Sequence, residues 1–286
     1  YYKKFTEDKI NNAKIVGRIN GTLKEGYHHG LWIYYRNDGG LFKKVNFNMG
    51  WKHGEYIQYD IKGRLKKKAN YDMNEPVGKF IEFNDFGNLE KEGFWKDKKF
   101  TGEIRRYYGR GTLRSKGFYK DCDDVKYFRG CFPWEGEYLE YTKSGYLLYK
   151  HNYMDGKKNG EMLSYFYENS QLQFKQNYKD GSQDGEWFQY YENGQIKKES
   201  NWKDGKSEGE FINYYESGEI QSKGNIKEGK KIEGKFLWFH ENGQVQYEDN
   251  YKDGKKEGEQ LIYNENGKLE ITKIYKDDKL IETIKP

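Results

Sequence analysis

The sequence predicts an all-β fold: an elongated, twisted, single-layer solenoid of antiparallel β-hairpins. Three observations predict it. A motif recurs every 24 or 25 residues, apolar side chains lie two residues apart within each repeat, and 18% of the residues are aromatic while aliphatic residues are few. A spacing of two is the period of a strand, and a fixed period of this length is typical of a repeat protein.

Ten repeats can be aligned within the chain, each beginning at a glycine. The segment GEWFQYYENG at Gly185 recurs as GEFINYYESG at Gly209 and as GKFLWFHENG at Gly234. One step, from Gly102 to Gly136, is 34 residues long. The repeats begin at Gly30, Gly54, Gly78, Gly102, Gly136, Gly160, Gly185, Gly209, Gly234 and Gly258.

Each repeat reads as one hairpin. The fifth residue after the glycine is aromatic in all ten repeats, and the third is apolar in nine, with Arg105 as the exception. A turn such as Glu-Asn-Gly follows, and the next segment carries an aliphatic residue and, six positions later, usually a second ring. A second turn of the Lys-Asp-Gly-Lys type leads to the next repeat. Glycine and asparagine supply the positive φ angles that such tight turns require.

The repeats define the predicted organisation of the chain. Residues 1–29 form an N-terminal cap with half a repeat, and residues 30–119 hold repeats one to four. An insertion covers residues 120–135, repeats five to ten follow in residues 136–275, and residues 276–286 form a C-terminal cap. An asparagine precedes the second ring in seven repeats, and we expect it to bond along the strand ladder or to turn backbone.

Charge and hydropathy exclude several function classes. The 51 Lys and Arg nearly balance the 46 Asp and Glu, leaving a net charge of +5. This charge produces only a weak electrostatic field for binding a nucleic acid. No run of about 18 apolar residues exists, so the sequence predicts no membrane-spanning helix. We therefore expect no nucleic-acid partner and no membrane association.

The repeats resemble a known family. The run YYENGQIKKESNWKDGKSEGEF, which begins at Tyr190, is similar to the bacterial variant of the MORN repeat found in YwqK-like antitoxin or immunity proteins. The resemblance covers about residues 24–276 and is strongest in residues 153–275. It implies a non-enzymatic repeat scaffold that neutralises a toxin partner. Eukaryotic MORN repeats are associated with lipids and scaffolding, but this sequence departs from their spacing.

The insertion holds both cysteines of the chain. We expect Cys122 and Cys131 to form a disulfide bond, because no further cysteine is available to complete a metal site. A disulfide would place the protein in an oxidising compartment, which is the cell envelope or the exterior of the cell. The alternative localisation is the cytoplasm. The insertion either offers rings to a partner or is a tolerated surface excursion. The rings that it would offer are Tyr127, Phe128, Phe132 and Trp134.

A further set of large residues stands at the second position of the repeats. If the third and fifth positions form the core, this set forms a stripe on the other face, which is either an exposed partner-binding surface or is buried by curling of the sheet. The candidate binding residues of this stripe are Trp32, Tyr56, Phe80, Tyr138, Trp187, Phe211 and Phe236.

No catalytic motif is recognisable, so we predict no enzyme activity, no catalytic residue and no cofactor. His29 and His53 fall at equivalent turn positions, but two imidazoles alone make a poor metal site, and no metal is expected. The glutamate after the first glycine recurs in seven repeats and reads as a charge partner for lysines.

Two functions remain open. The first is a scaffold that binds a protein partner, as an antitoxin or immunity protein does. The second is an envelope or surface adhesion module that binds a glycan or a host protein through exposed aromatic residues. The sequence does not predict the oligomeric state.

Overall fold

The computed structural model describes residues 17–97, 99–122, 133–231 and 233–285. The regular secondary structure of these residues consists entirely of β-strands, which pair antiparallel wherever a ladder is resolved. The predicted fold class, an antiparallel β-hairpin repeat, is confirmed. No helix in the described part of the chain is long and apolar enough to cross a membrane.

Twenty-five strands are present in the described residues. Their bounds are β1 Arg18–Lys24, β2 Tyr27–Tyr35, β3 Leu41–Asn48, β4 Trp51–Tyr59, β5 Leu65–Asp72, β6 Glu75–Phe83, β7 Leu89–Lys96, β8 Lys99–Tyr107, β9 Leu113–Cys122, β10 Pro133–Tyr141, β11 Leu147–Met154, β12 Lys157–Lys158, β13 Gly160–Tyr165, β14 Leu172–Lys179, β15 Ser182–Tyr190, β16 Ile196–Lys203, β17 Lys206–Tyr214, β18 Ile220–Lys227, β19 Lys230–Lys231, β20 Gly234–Phe239, β21 Val245–Lys252, β22 Lys255–Lys256, β23 Gly258–Tyr263, β24 Leu269–Lys276 and β25 Lys279–Ile284.

The chain divides into two compact units. The described residues of the N-terminal unit are 17–97, 99–113 and 119–122, and those of the C-terminal unit are 114–118, 133–231 and 233–285. In the N-terminal unit, β1 to β8 pair in chain order. In the C-terminal unit, β10 to β25 do the same, and three of the first strands of hairpins are interrupted, as β12/β13, β19/β20 and β22/β23.

The glycine that begins each repeat has a positive φ angle in all ten repeats, reaching 107° at Gly185. The strand register shifts beside it. Ser200 pairs with Phe211 and Trp202 pairs with Ser207. The interval of two residues on one strand therefore lies opposite an interval of four residues on the other. This irregularity is a β-bulge, and glycine adopts the required backbone angle without a steric penalty.

Two kinds of turn connect the strands. The hairpin turn follows the fifth-position ring and is closed by an N–H···O bond, as from Gly194 to Tyr191 at 3.0 Å. The linking turn joins consecutive repeats, and both of its central residues have positive φ, as at Asp204 (47°) and Gly205 (79°). Two positive angles in a two-residue loop define a type I′ turn, which matches the right-handed twist of paired strands.

The core is a row of rings on one face of the paired strands. In the N-terminal unit, Phe100 is buried, with its ring centroid 4.5 Å from that of Phe80 and 3.9 Å from that of Trp95. In the C-terminal unit, Phe236 is fully buried and its ring lies 5.0 Å from that of Tyr251. Ring contacts of this kind supply burial that the scarce aliphatic residues do not.

Candidate interaction surfaces

The second-position stripe lies on the same face as this core. Phe80 and Phe236 are 2% and 0% exposed, and the other five candidate residues are half-buried. Tyr56 packs against Tyr71 with ring centroids 5.7 Å apart, and Tyr138 lies 6.5 Å from Tyr153. These contacts with rings of the second strand match the alternative in which the stripe is structural. Phe80 and Phe236 leave no surface for a partner, and partner binding by Trp32, Tyr56, Tyr138, Trp187 and Phe211 stays a prediction.

The cross-strand neighbours explain why these rings pack inward. Gly224 lies opposite Phe211, and Ser200 pairs with both Trp187 and Phe211. Small residues between successive large ones let rings of neighbouring hairpins meet, as Phe211 and Phe236 do at 6.0 Å. The signal was present in the sequence as a small residue midway along many second strands, for instance at Ala69, Gly93, Ser200 and Gly224. The rings at the fifth position are half-buried throughout.

The candidate residues of the insertion are not placed by the structure. Tyr127, Phe128, Cys131 and Phe132 lie outside the described residues. Cys122 ends β9 and Trp134 lies in β10, but their side chains are also outside the description. The disulfide and the exposure of these rings therefore stay predictions.

The recurring asparagine has the structural role that we expect in four repeats. Its side-chain amide donates to the backbone carbonyl of the neighbouring strand beside the bulge, at 2.7 to 3.4 Å. The four donors and acceptors are Asn46 to Glu55, Asn152 to Glu161, Asn177 to Glu186 and Asn250 to Glu259.

The recurring glutamate pairs with a lysine, as predicted, in several repeats. Glu137 lies 2.9 Å from the Nζ atom of Lys150, and Glu161 lies 3.3 Å from that of Lys175. His53 pairs with Asp72, at 3.0 Å. Within the described ranges, no group of three or more His, Cys, Asp and Glu side chains is placed to hold a metal ion.

Two polar side chains in the C-terminal unit lie on the core face. Burial, and then the nearby charge of Lys158, lower the pKa of His151 to about 4. The ring of His151 lies among Tyr138, Tyr149 and Tyr153.

The second of these side chains is Asp249, which is 3% exposed. One of its carboxylate oxygens accepts from Gln260 Nε2 at 2.7 Å, and the other lies 2.9 Å from Lys256 Nζ. The charge of this buried carboxylate is thus compensated within the core.

The hairpin turns of successive repeats are joined by side chains. Tyr191 donates its hydroxyl to the carbonyl of Tyr214 at 2.7 Å, and Tyr215 does the same to Phe239 at 2.7 Å. At the tips, the amide of Asn242 donates to the carbonyl of Glu265 at 2.7 Å. Each bond spans 23 or 24 residues of sequence and fixes a turn against its neighbour. Sequence reasoning missed these residues, although the polar tip positions recur.

Arginines take this role in the N-terminal unit. Arg36 donates to the carbonyls of Asp60 (2.6 Å) and Ile61 (3.2 Å) in the next turn, and Arg64 donates to those of Asp85 (2.6 Å) and Phe86 (2.7 Å) in the turn after it. An open depression lies on this edge of the N-terminal unit. It is lined by Arg36, Phe42, Gln58, Tyr59, Asp60, Ile61, Lys62, Arg64, Lys66 and Asp85.

Comparisons with known proteins identify the repeat. Six segments match the MORN repeat variant, at residues 100–121, 158–180, 183–204, 207–228, 232–253 and 256–277. A search of curated proteins gives no match.

Among solved structures, the chain is similar to the crystal structure of TcdB2-TccC3 at 13% identity, over 89% of this chain and 16% of that one, with a TM-score of 0.21. It is also similar to the Photorhabdus luminescens Tc holotoxin pore carrying the TccC3-D651A mutation, at 14% identity over 89% and 16% of the chains, with a TM-score of 0.18. TM-scores this low support no conclusion about this protein. What the comparisons do establish is the repeat type: over those six segments, this chain matches the MORN repeat variant.

Proposed function

We propose that this chain is a non-enzymatic scaffold that binds a protein partner through side chains displayed on its hairpin turns. The observation that carries the proposal is the set of hydrogen bonds between successive turns, such as those from Tyr191 to Tyr214 and from Asn242 to Glu265. Turns that are already ordered lose little conformational entropy on binding, which favours recognition. The MORN-variant repeats support the scaffold role.

A bacterial toxin is the partner class that the resemblance to YwqK-like immunity proteins implies. The turn tips of the C-terminal unit support a basic partner, because an exposed glutamate recurs on four consecutive hairpin turns. Paired strands lie about 4.8 Å apart, so these carboxylates recur roughly every 10 Å. The four residues are Glu192, Glu216, Glu241 and Glu265.

The test combines capture with charge reversal. Proteins retained by the immobilised full chain are identified by mass spectrometry, purified, and titrated calorimetrically against the wild type. Reversing the four tip glutamates to lysine is expected to weaken binding at least about tenfold, equivalent to roughly 1.4 kcal/mol. The matched control reverses four acidic residues on the linking turns, Asp180, Asp204, Glu228 and Asp253.

The outcomes separate the parts of the proposal. Equal binding by both variants would overturn recognition at the hairpin turns, and the lack of any saturable protein partner would overturn the scaffold function. Co-expression then tests the antitoxin role, because an immunity protein restores growth of cells that produce its toxin. A partner that is harmless to cells when expressed alone would contradict that role and leave protein binding intact.

A second candidate, a surface adhesion module for a glycan or host protein, is favoured by one observation. Tyr27 and Trp51 are 57% and 52% exposed and stand at equivalent positions of consecutive linking turns. Exposed rings offer apolar faces against which a ligand packs. This function would place the protein at the cell envelope or outside the cell. Retention on a glycan column tests this function. Loss of retention in Trp51→Ala, with retention kept in Trp238→Ala, would support it. Trp238 is the control because its ring stacks on that of Tyr247, with the centroids 4.4 Å apart.

A further inference from the structure

Three hairpin turns of the C-terminal unit share the tripeptide Glu-Asn-Gly. Their asparagines are Asn193, Asn242 and Asn266, and all three residues are exposed. An asparagine followed by glycine is chemically labile, because glycine has no side chain to shield its backbone nitrogen from the neighbouring side-chain amide. The three turns have the same local chemistry, so that differences in their reactivity must come from their contacts.

The side chains of Asn193 and Asn242 are held at both ends of the amide group. The oxygen of Asn193 accepts the N–H of Gln195 at 2.9 Å, and its nitrogen donates to the carbonyl of Glu216 in the next turn at 3.1 Å. Asn242 makes the two equivalent bonds, at 3.0 Å within its own turn and at 2.7 Å to the next one. Both side chains must break two hydrogen bonds before they can rotate.

Asn266 makes neither of these side-chain bonds within the described part of the chain. In its turn, the side-chain oxygen of Asn264 accepts the N–H of Lys268 at 3.0 Å and that of Asn266 itself at 3.1 Å. The bond that would hold the Asn266 oxygen is therefore made by another residue. Residues 268–285 add no further hairpin turn whose carbonyl could accept from the Asn266 amide. Its side chain can rotate without losing a hydrogen bond.

Two other asparagines precede a glycine, and strand pairing restrains both peptides. Asn20 pairs with Ile33 in the ladder of β1 and β2. Gly160, which follows Asn159, pairs with Tyr178 in the ladder of β13 and β14. A backbone fixed in a ladder cannot turn its nitrogen towards the preceding side chain, so these two sites are less reactive than a turn tip.

We propose that Asn266 is a site of spontaneous deamidation, and that the bonds between successive turns protect Asn193 and Asn242 from the same reaction. The proposal goes beyond the proposed function, because the reaction needs no protein partner. Its product adds a carboxylate beside Glu265, at the tip of one hairpin turn.

The reaction needs only water as a co-reactant. The backbone nitrogen of Gly267 attacks the side-chain carbon Cγ of Asn266, and the new C–N bond closes a succinimide ring. The bond from Cγ to the side-chain nitrogen breaks, and ammonia leaves with the proton that the Gly267 nitrogen gives up. Water then adds to one carbonyl of the ring and opens it, which leaves an aspartate or an isoaspartate.

The attacking nitrogen is in the same state in all three turns. The N–H of Gly267 donates to a backbone carbonyl of its own turn at 2.9 Å, as those of Gly194 and Gly243 do at 3.0 Å and 2.9 Å. This bond slows the reaction alike in each turn. The difference between the sites therefore lies in the bonds of the asparagine side chains.

Peptide mapping of the full chain, incubated at neutral pH and sampled over time, tests the proposal. Mass spectrometry measures the deamidated fraction at each asparagine, in native buffer and in guanidinium chloride. In the folded chain, Asn266 is expected to react at least about tenfold faster than Asn193 and Asn242, which must first lose two hydrogen bonds. In guanidinium chloride the three sites share only their tripeptide and should react at similar rates, which makes the unfolded chain the matched control.

Two variants give a second readout. Asn266→Gln should remove the acidic form that isoelectric focusing detects, because ring closure through the longer side chain is slower. Asn264→His copies the turn of Asn242, where His240 stands at this position, and is expected to return the Lys268 N–H to Asn266 and slow its reaction. Circular dichroism verifies that both variants are folded. Equal rates at the three folded turns, or a slower reaction at Asn266, would overturn the proposal and leave partner binding untouched.

Discussion

The ring of Phe236 occupies the place in the core where a side chain at Gly224 would lie. A methyl group added to Gly224 would lie 2.3 Å from Cδ1 of Phe236, which is far inside van der Waals contact. Gly224 also pairs with Phe211, so the missing side chain lets the rings of two successive hairpins approach to 6.0 Å. The relationship shows how this fold builds a core from rings that belong to different repeats.

Gly224→Ala is expected to lower the free energy of unfolding by about 1 to 3 kcal/mol, because the added methyl forces the Phe236 ring from its site. Urea denaturation followed by tryptophan fluorescence measures the change. Gly109→Ala is the matched control, since the nearest atom to its added methyl is Asn84 Nδ2, 3.9 Å away. Equal stability of the two variants would contradict close packing at Gly224.

Tyr215→Phe removes one bond between successive turns. Loss of the hydroxyl that donates to the Phe239 carbonyl is expected to cost about 0.5 to 1.5 kcal/mol. Hydrogen exchange should show faster opening of the adjoining turns, because repeat proteins respond locally to a lost contact between neighbours. Tyr146→Phe changes an exposed tyrosine and serves as the control. Equal exchange in the two variants would remove the stabilising role of this bond.

Lys256→Met leaves the buried Asp249 without its cationic partner. Breaking a buried pair in this way is expected to destabilise the protein by about 3 to 5 kcal/mol. The double variant Asp249→Ser with Lys256→Met should recover much of that loss, because serine stands at the corresponding place in Ser200. Thermal denaturation of both variants checks the order. A double variant no more stable than the single one would show that the unpaired charge is not the cause.

His151 is expected to make stability depend on pH. Its pKa is about 4 when folded, against an ordinary value of 6.5, so the unfolded chain takes up this proton more readily than the folded one. Stability from this residue is full above pH 6.5 and falls as the pH drops towards 4. His151→Gln should remove that component, since glutamine stands at the corresponding position as Gln176.

The measurement for His151 is the difference in unfolding free energy between wild type and His151→Gln, taken at pH 7 and again near pH 4.5. The difference cancels the titration of carboxylates elsewhere in the chain. A value that does not change with pH would show that the ring is not desolvated in solution.

Much of the fold could be predicted because its determinants are local. The glycine at each repeat start, the period-two pattern and the Lys-Asp-Gly turns all lie within one 24-residue segment. Each specifies a backbone angle or a strand without reference to distant residues. The positive φ of the ten starting glycines agrees with this interpretation.

The sequence did not determine which face of the strands is buried. Both the second and the third positions of the repeats carry large apolar residues, so the pattern alone does not show whether Phe80 or Ile81 is the more buried. The structure buries Phe80 and leaves Ile81 partly exposed. What decides is the small residue that each ring meets on the next strand, as Gly93 does for Phe80.

The sequence by itself determined the repeat, the hairpins and the turn types, since these follow from backbone preferences within a few residues. Only the tertiary structure decided which rings interlock and which turn side chains meet. The hydrogen bond from Tyr191 to Tyr214 joins residues one repeat apart, and it exists because the bulge beside each glycine sets how consecutive hairpins align. Such alignment is a property of strands in contact, which no single repeat contains.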